Sequence, residues 1–264
     1  MKTTDIEDAL SVCNRGDVLA ACRDETLPRS RIDDQTDRSC ATVYRATKEL
    51  EAQGLLESTS KGYRTTARGV AVVEATERLV ETCAALDRLD PLLDAVDAPE
   101  LLTHLHLLAD ARTTVADDTD PYGANDRALE LWNDSERVRG AMTASGSRHS
   151  IVEGTRHALD SGMHVEMCYT PAVFPTKRQL GSDVFGAYLD SERVEAFVTD
   201  DIPFSFALHE TVSTIVAHDE TGVPSVLVES EAPEVRRWLE GVYADCRANA
   251  TPIEDASVAA PDEC

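Results

Sequence analysis

The first 66 residues follow the apolar spacing of short helices and then of two short strands. Ser39 is a favourable N-cap and Gly54 stands where a glycine ends a helix, so together they bracket one predicted helix. Within it Val43 and Leu50 fall on one face, which indicates a helix with one buried side. The turn between the strands contains Gly62. The predicted elements are one or two helices over residues 5–22, helices over 29–35 and 40–53, and strands over 55–59 and 63–66.

This order of elements is that of a winged helix-turn-helix. The passage SCATVYRATKELEAQGLLESTSKGYRTTARG, residues 39–69, resembles the core of that superfamily in bacterial and archaeal transcription regulators. Those families commonly read S-x-x-T-V-Y/S-R-x-L-K-E-L-E-x-x-G-L-L/V-E before the wing and T-x-x-G after it. Thr47 departs from the pattern because it replaces the usual leucine. The resemblance implies that the chain binds double-stranded DNA.

A helix that enters the major groove reads base edges with side chains near its N-terminus. We therefore expect Arg45 to contact a guanine or a phosphate, and Thr42 to contact a base or a thymine methyl group. Phosphate contacts are expected from the other polar side chains of this helix and from the wing. The alternatives are that Arg45 is an ordinary solvated residue and that Tyr44 packs beneath the wing. The residues predicted to bind DNA are Arg38, Ser39, Cys40, Ala41, Thr42, Tyr44, Arg45, Lys48, Lys61, Tyr63 and Arg64.

Residues 67–93 contain few strand formers and no proline before Pro91, so they predict one connecting helix. Its apolar stripe either packs onto the rest of the chain or pairs with the same helix of a second chain. Helix-turn-helix proteins usually bind two half-sites on DNA, which favours the second alternative, a homodimer. The stripe consists of Val72, Ala75, Leu79, Cys83, Leu86 and Leu93.

From about residue 95 to residue 250, strand and helix patterns alternate, which predicts an α/β domain around one sheet. The predicted helices cover residues 124–135, 149–161, 176–192 and 235–247. The predicted strands cover residues 138–145, 163–169, 194–199, 204–209, 211–218 and 224–229, and residues 101–109 form a further apolar run. The predicted domains are a DNA-binding domain over 1–70, a linker or dimerisation helix over 71–94, a sensing domain over 95–250 and a disordered tail over 251–264.

The second domain resembles the FilR1-type domain of archaeal regulators. The resemblance rests on the passages LLADARTTVADDTDPY, RVRGAMTAS, DSGMHVEMCYTPAVF, SERVEAFVTDDIPFSFALHE and GVPSVLVESEAPEVRRWLEGVYADCRA. The DPY, RVRG and D-x-P-F-x-x-A-L/I motifs contribute most to this resemblance. That family joins an N-terminal winged helix to a body whose fold is related to phospholipase D, and its methanogen and haloarchaeal members are regarded as transcription regulators. The resemblance therefore implies an α+β or α/β fold class and a role in transcription.

The charge pattern is compatible with this division of the chain. The 264 residues include 49 acidic and 25 basic ones, and the formal net charge is −24. Residues 38–68 contain six basic and three acidic residues, so they form a basic island that suits contact with a polyanion. The acidic, lysine-poor remainder resembles the surfaces of proteins from salt-loving microbes. In such a protein, overall acidity does not argue against DNA binding.

Sequence motifs argue against catalysis and against a metal or cofactor. The phospholipase D signature HxKxxxxD is absent, since Lys177 is the one lysine of the second domain and Pro175 stands two residues before it. No G-x-S-x-G, G-x-x-x-x-G-K-[ST] or G-x-G-x-x-G motif occurs. Two groups of residues have side chains that can bind a metal ion and stand at alternate positions, namely His104 with His106, and His164 with Glu166 and Cys168. A half-exposed strand, in which every second residue is polar, explains the same spacing without a metal.

In open α/β sheets, ligands lie beyond the carboxyl ends of strands, which favours a small-molecule site after two of the predicted strands. Arg148 would suit an anionic ligand, and the neighbouring hydroxyl groups would suit a hydroxylated one. The alternative is that each candidate residue is structural or merely exposed. The residues expected to bind the ligand are Ser145, Ser147, Arg148, Thr170, Phe174, Phe204 and His209.

The sequence as a whole predicts a cytoplasmic, dimeric, sequence-specific DNA-binding transcriptional regulator with a sensing domain. The chain has no run of about 18 apolar residues, and its acidic N-terminus lacks the apolar stretch of a secretory signal. Its seven cysteines include no C-x-x-C pair. Three alternatives remain, namely a winged helix that docks another protein, a redox-responsive regulator that acts through Cys40, and an enzyme with an unrecognised site.

Overall fold

Three helices and a hairpin form the N-terminal part of the chain. The computed structural model describes residues 9–144, 146–173 and 184–253, and the chain divides into the units Met1–Glu81 and Thr82–Cys264. In the first unit, a helical segment over residues 9–13 precedes the helices and strands. These elements are α1 (Gly16–Ala21), α2 (Arg29–Thr36), α3 (Cys40–Ala52), β1 (Leu56–Thr59) and β2 (Gly62–Thr65). Their order confirms the winged helix-turn-helix.

A cluster of buried apolar side chains holds the helices of the first unit together. Helix α1 contributes Val18 and Leu19, α2 contributes Ile32, and α3 contributes Val43 and Leu50. Each of these side chains is at most 1% exposed. The face of α3 that the apolar spacing predicted to be buried therefore packs against both preceding helices, as a helix-turn-helix requires.

Two local features fix the start of α3 and the shape of the wing. The Ser39 Oγ accepts a hydrogen bond from the backbone N–H of Thr42 at 3.3 Å, which confirms the predicted N-cap. Gly62 has a φ of 138°, and a Cβ at this position would lie 2.2 Å from the carbonyl oxygen of Leu27. Only glycine allows this approach, which brings β2 close enough for the Leu27 N–H to donate to the Tyr63 carbonyl at 3.0 Å.

The connecting helix α4 (Ala67–Ala95) is continuous and starts two residues after the wing. Pro91 lies inside it, where a proline removes one helical hydrogen bond, and the helix ends four residues later. The boundary between the two units, at residues 81 and 82, falls within this helix.

The second unit is built around an eight-stranded sheet, counted over the described residues. Its elements are α5 (Pro99–His104), a 3₁₀ helix (Leu105–Leu108), β3 (Arg112–Val115), α6 (Gly123–Asn133), β4 (Arg137–Met142), α7 (Arg148–Ser161), β5 (His164–Tyr169), β6 (Val194–Val198), β7 (Ser205–Leu208), β8 (Ser213–His218), β9 (Pro224–Ser230), α8 (Pro233–Ala248) and β10 (Thr251–Pro252). The strand order is β10-β6-β5-β4-β7-β8-β9-β3. Strands β4, β5 and β6 are parallel, and the remaining pairs are antiparallel. The predicted α/β architecture around one sheet is confirmed.

Buried side chains cover both faces of this sheet. Successive residues of β5 point to opposite faces, and Cys168 lies in one cluster with residues of α8, whereas Met167 lies in another with Ala158 of α7. At the centre of the sheet, a Cβ on Gly140 of β4 would lie 2.3 Å from the carbonyl oxygen of Phe206 in β7. This close approach of two backbones explains the glycine of the RVRG motif.

The apolar run over residues 101–109 is helical, so the strand assumed for His104 and His106 is wrong. Pro99 occupies the first turn of α5, where proline is favourable. Leu101, Leu105 and Leu108 are then buried at intervals of three and four residues, which is the spacing of one helical face. His104 ends α5, and His106 lies in the 3₁₀ helix.

The edges of the sheet also differ from expectation. Thr251 pairs with Val198 and Pro252 with Phe197, so the disordered tail predicted over 251–264 is wrong at its start. A proline fits there because an edge strand has free N–H positions. Strand β3, at the other edge, was not predicted, and its short half-exposed sequence has no strong period.

Residues 174–183 and 254–264 lie outside the described residues. The first of these ranges includes the start of the predicted helix over 176–192, and the second includes most of the predicted tail.

A charged pair joins α6 to the sheet. Glu229 of β9 is 7% exposed, and its carboxylate accepts two hydrogen bonds from Arg127, with Nη2–Oε1 at 2.7 Å and Nε–Oε1 at 3.1 Å. Arg112 lies at the edge of the same site, with its Nε 4.0 Å from the Glu229 Oε2 and its side chain 69% exposed.

We expect Arg127→Met to lower the free energy of unfolding by about 3 kcal/mol, because it leaves the Glu229 carboxylate buried without its main partner. The matched change Arg112→Met should cost less than about 0.5 kcal/mol, because that arginine is exposed. Urea unfolding at neutral pH measures both variants. Equal losses would show that the Arg127–Glu229 pair does not anchor α6.

Candidate DNA-binding surface and pocket

The outward face of α3 carries most of the predicted DNA-binding residues. Val43, Ala46 and Leu50 are at most 2% exposed, so the side chains between them point away from the core. Tyr44 is 49% exposed. The exposed members of the predicted set are Ser39, Cys40, Ala41, Tyr44, Arg45, Lys48, Lys61 and Arg64, whereas Arg38 and Thr42 are half-buried.

Several basic side chains of this surface form ion pairs within the first unit. Such surface pairs are worth about 0–1 kcal/mol each, so a phosphate group can replace the carboxylate at small cost. The pairing with Glu51 raises the pKa of Lys48 above its ordinary value, which keeps that amine charged. The pairs are Lys48–Glu51 at 3.0 Å, Arg64–Glu57 at 2.7 Å and Arg38–Asp17 at 2.5 Å.

Arg45 differs from these residues because no carboxylate in the described part of the chain pairs with it. Its Nε donates only to the Ala41 carbonyl of its own helix, at 3.4 Å. Arg45 lies in the second turn of α3, close to the Ser39 cap. A guanidinium presents five donors in a planar fork that fits a guanine edge or a phosphate. Among the predicted residues, Arg45 is therefore one of two exposed cations without a carboxylate partner in the described part of the chain, the other being Lys61 on the wing.

Arg29, which the sequence reasoning missed, lies between two tyrosine rings. Its guanidinium carbon is 4.6 Å from the centroid of the Tyr44 ring and 5.3 Å from that of Tyr63, and its Nη2 donates to the Tyr63 hydroxyl. Tyr63 is 7% exposed and belongs to the core, so its ring lies away from the exposed face on which a DNA contact was expected. Tyr44 stacks on Arg29 and stays exposed. No local sequence signal identifies Arg29, since its partners follow 15 and 34 residues later.

The surroundings of Cys40 do not favour a reactive thiol. A hydrogen bond to Asp33 and the negative charge of that residue raise the pKa of the Cys40 thiol above its ordinary value. The thiolate is the reactive form of cysteine, so this neighbourhood reduces the reactivity of an otherwise exposed residue.

A pocket of about 130 Å³ lies in the second unit, between α6, α7 and the carboxyl ends of β4 and β5. Asn125 and Ala128 come from α6, and Ser150 and Thr155 come from α7. Among the described residues, no charged side chain lines it. Its aromatic walls consist of Trp132, Tyr169, Phe185 and Tyr188. The position agrees with the expectation that ligands lie beyond the carboxyl ends of strands.

Three of the predicted ligand residues lie near this pocket but do not line it. The Ser147 Oγ caps α7 by accepting a hydrogen bond from the Ser150 N–H at 3.1 Å. Arg148 is exposed at the first position of the same helix, and Thr170 is half-buried after β5. The pocket is lined instead by the next turns of α7, which the sequence did not single out.

The remaining predicted ligand residues are not brought together either. Phe204 is 2% exposed and packs against Phe206 and Trp238, with ring centroids 5.9 and 5.8 Å away. It lies in the cluster that packs against α8, on the other face of the sheet, because it precedes β7 and does not follow a parallel strand. Ser145 and Phe174 lie outside the described residues.

His209 lines a second cavity of about 100 Å³, which shares Ala128, Trp132 and two further residues with the first pocket. His209 is 7% exposed, and its Nδ1 lies 2.8 Å from the Ser135 Oγ. Burial lowers the pKa of His209 to about 4. The imidazole is therefore neutral at physiological pH and serves as a hydrogen-bonded core residue.

Two of the candidate metal ligands, His104 and Glu166, have other partners. His104 stacks on Trp238 with ring centroids 4.6 Å apart, and the Glu166 Oε1 lies 3.9 Å from the Arg247 Nε. Burial raises the pKa of the Cys168 thiol to about 12. Within the described ranges, no group of three or more His, Cys, Asp or Glu side chains could hold a metal ion.

Two family models match the chain over most of its length. Residues 3–88 match the HVO_A0261 N-terminal domain. Residues 121–249 match the middle domain of the methanogenesis regulatory protein FilR1. The chain carries a FilR1-type middle domain. This domain contains α6, α7, both cavities and most of the sheet, so the pocket described above is a feature of a regulator-family domain.

Solved structures resemble the chain at low sequence identity. TrmBL2, described as an archaeal chromatin protein with a novel mode of DNA binding, has 14% identity and a TM-score of 0.40 over 91% of this chain and 93% of its own. NucT from Helicobacter pylori has 10% identity and a TM-score of 0.41 over 54% of this chain and 98% of its own. The phospholipase D family member Nuc from Salmonella typhimurium has 8% identity and a TM-score of 0.41 over 54% and 97%. No curated protein matches the sequence significantly.

No helix in the described ranges is long and apolar enough to cross a bilayer.

The buried His209 should make stability depend on pH. Its pKa is about 4 in the folded chain against 6.5 ordinarily, so between these values the unfolded chain binds a proton that the folded chain does not. The free energy of unfolding should therefore fall as the pH is lowered from 6.5 to 4. His209→Gln should flatten this dependence, as measured by urea unfolding across that range. An unchanged slope would contradict the neutral, buried assignment.

Proposed function

We propose that the chain is a sequence-specific, double-stranded DNA-binding transcriptional regulator that reads its operator with α3. The unpaired, exposed guanidinium of Arg45 near the capped start of α3 carries this proposal. The winged helix-turn-helix fold and the FilR1-type middle domain support it. Lys48 and Tyr44 on the helix, and Lys61 and Arg64 on the wing, are proposed to hold phosphates.

The charge distribution sets the conditions under which this protein binds DNA. Residues 38–68 carry a net charge of +3, whereas residues 76–264 contain 14 basic and 36 acidic residues. Phosphate contacts weaken as salt rises because counterion release drives them, but salt also screens the repulsion between DNA and the acidic second unit. We propose that the protein works in the cytoplasm of a salt-adapted cell, where both effects are present.

We further propose that α4 mediates a homodimer. Leu79, Val80 and Leu86 are 47%, 62% and 39% exposed, and Cys83 is exposed on the same helix. Leu79, Cys83 and Leu86 are spaced by four and three residues, which places them on one helical face. Exposed apolar residues at this spacing favour pairing with a second copy of the helix, and a dimer would place two recognition helices on two half-sites.

We propose that the FilR1-type domain senses a small molecule and does not catalyse a reaction. The pocket between α6 and α7, close to the carboxyl ends of two parallel strands, supports sensing. The missing HxKxxxxD motif and the single lysine of the second domain support the absence of phospholipase D chemistry. Binding of the molecule would shift the geometry of the dimer and so change operator affinity.

The role of α3 is tested with DNA selected from a random pool by the unmodified protein. Arg45→Ala should weaken binding to the selected sequence roughly tenfold or more and relax the preference at one base position, because it removes a directional base contact. Lys48→Ala should weaken binding to all sequences and lower the salt slope by about one, because it removes a phosphate contact. Fluorescence anisotropy from low to molar salt measures both effects.

Arg156→Ala is the matched control, since Arg156 is an exposed arginine in α7 and should leave DNA affinity unchanged. If Arg45→Ala and Arg156→Ala bind alike, α3 does not read DNA, and a winged helix that docks another protein becomes the better description.

The role of α4 is tested with Leu79→Glu/Leu86→Glu. We expect this variant to sediment as a monomer and to lose affinity for the selected operator, because two carboxylates would face each other in the paired helices. Leu102→Glu changes a more exposed leucine (59% exposed) in α5 and should remain dimeric. Sedimentation velocity distinguishes the two, and an unmodified protein that is already monomeric would contradict the dimer.

A further inference from the structure

We propose that the pocket between α6 and α7 binds a neutral, single-ring aromatic molecule that carries a hydroxyl group or a similar small polar group. This inference rests on the proposed sensing role and gives the chemical class of the ligand. It replaces the anion that Arg148 suggested in the sequence.

The dimensions and walls of the pocket match one ring. Its volume is about 130 Å³, and an apolar protein cavity of roughly 150 Å³ is known to hold benzene. Trp132, Tyr169, Phe185 and Tyr188 supply aromatic surfaces, and Ile151 supplies an aliphatic one. Aromatic side chains favour an aromatic guest through stacked and edge-to-face contacts.

Most polar groups of the pocket already have partners. The Ser150 Oγ donates to the Asn125 Oδ1 at 2.5 Å and lies 2.7 Å from the Ser147 Oγ. The Asn125 Nδ2 donates to the Asp126 Oδ1 at 3.1 Å. The Trp132 Nε1 donates to a backbone carbonyl of α7 at 3.0 Å. These contacts hold the α6 and α7 walls together and leave little polar capacity for a ligand.

The hydroxyl of Thr155 is the exception. Thr155 is 7% exposed and lines the pocket, and no hydrogen bond of its side chain occurs among the described residues. A hydroxyl in a pocket wall hydrogen-bonds to water or to a polar group of a ligand. A hydroxyl can both donate and accept, so a single polar group on the ligand would satisfy it.

The described lining of the pocket offers no group that would balance a charge on the ligand. Among the described residues no acidic or basic side chain lines it, and Arg148 is exposed at the start of α7. The hydroxyls of Tyr169 and Tyr188 bond to each other, and burial raises the pKa of both well above the ordinary value, so these walls stay neutral. Because an unpaired ion is costly to bury, the pocket should reject carboxylates and ammonium groups.

The test compares three probes with the same ring, namely 4-fluorophenol, 4-fluorobenzoate and 4-fluorobenzylammonium, by ¹⁹F NMR with the full chain at neutral pH. We expect the phenol signal to broaden and shift with protein concentration, and the signals of both ions to remain at least tenfold less affected. If an ion binds as well as the phenol, or the phenol does not bind, the inference is overturned.

Two variants show whether the phenol occupies this pocket. Thr155→Val keeps the shape of the side chain and should weaken 4-fluorophenol binding about fivefold, because one hydrogen bond is lost, while binding of fluorobenzene should not change. Thr170→Val is the control outside the pocket and should bind both probes as the unmodified protein does. Ala128→Phe fills the pocket and should abolish binding of both. Phenol binding that is unaffected by Thr155→Val and Ala128→Phe would overturn the site.

Operator affinity measured with and without 4-fluorophenol separates this inference from the sensing role on which it rests. If the phenol binds in the pocket and leaves DNA affinity unchanged, the ligand class stands and the sensing role fails. If DNA affinity responds to an ionic effector while the phenol does not bind, the sensing role stands and the ligand class fails.

Discussion

The packing of Val43, Ala46 and Leu50 into the core of the first unit determines which side chains this protein can offer to DNA. These residues are at most 2% exposed, so the rotation of α3 about its axis is set, and Arg45 must point outward. The Ser39 cap sets where the helix begins. The guanidinium of Arg29, between the rings of Tyr44 and Tyr63, then ties the same helix to the wing, so helix and wing form one surface.

In the second unit, the parallel strands β6, β5 and β4 lie in one half of the sheet, and helices pack on both faces. Strands β4 and β5 end beneath the gap between α6 and α7, and this gap is the pocket. Among the described lining residues, most polar groups are satisfied by one another or by neighbouring groups, and no hydrogen bond of the Thr155 hydroxyl occurs there. This pocket is the basis of the proposed small-molecule site in the FilR1-type domain.

The sequence predicted the elements whose signals are local, and missed those that depend on distant contacts. The recognition helix was predictable because Ser39 and Gly54 bracket a clear helical period, and the central strands because each has a buried run. The edge strands β3 and β10 were missed because short edge strands need little apolar periodicity. Arg29 and the pocket were missed for a different reason, since their partners come from segments far apart in the chain, and Tyr63 was read as a wing-tip residue because its burial depends on contact with α2.

The central claim is that α3 reads DNA, and genome-wide occupancy in the native host tests it most directly. Tagged unmodified protein should give sharp promoter peaks, and an Arg45→Ala/Lys48→Ala variant of equal abundance should lose them. Peaks that persist in the variant, or an absence of peaks for the unmodified protein, would contradict the account.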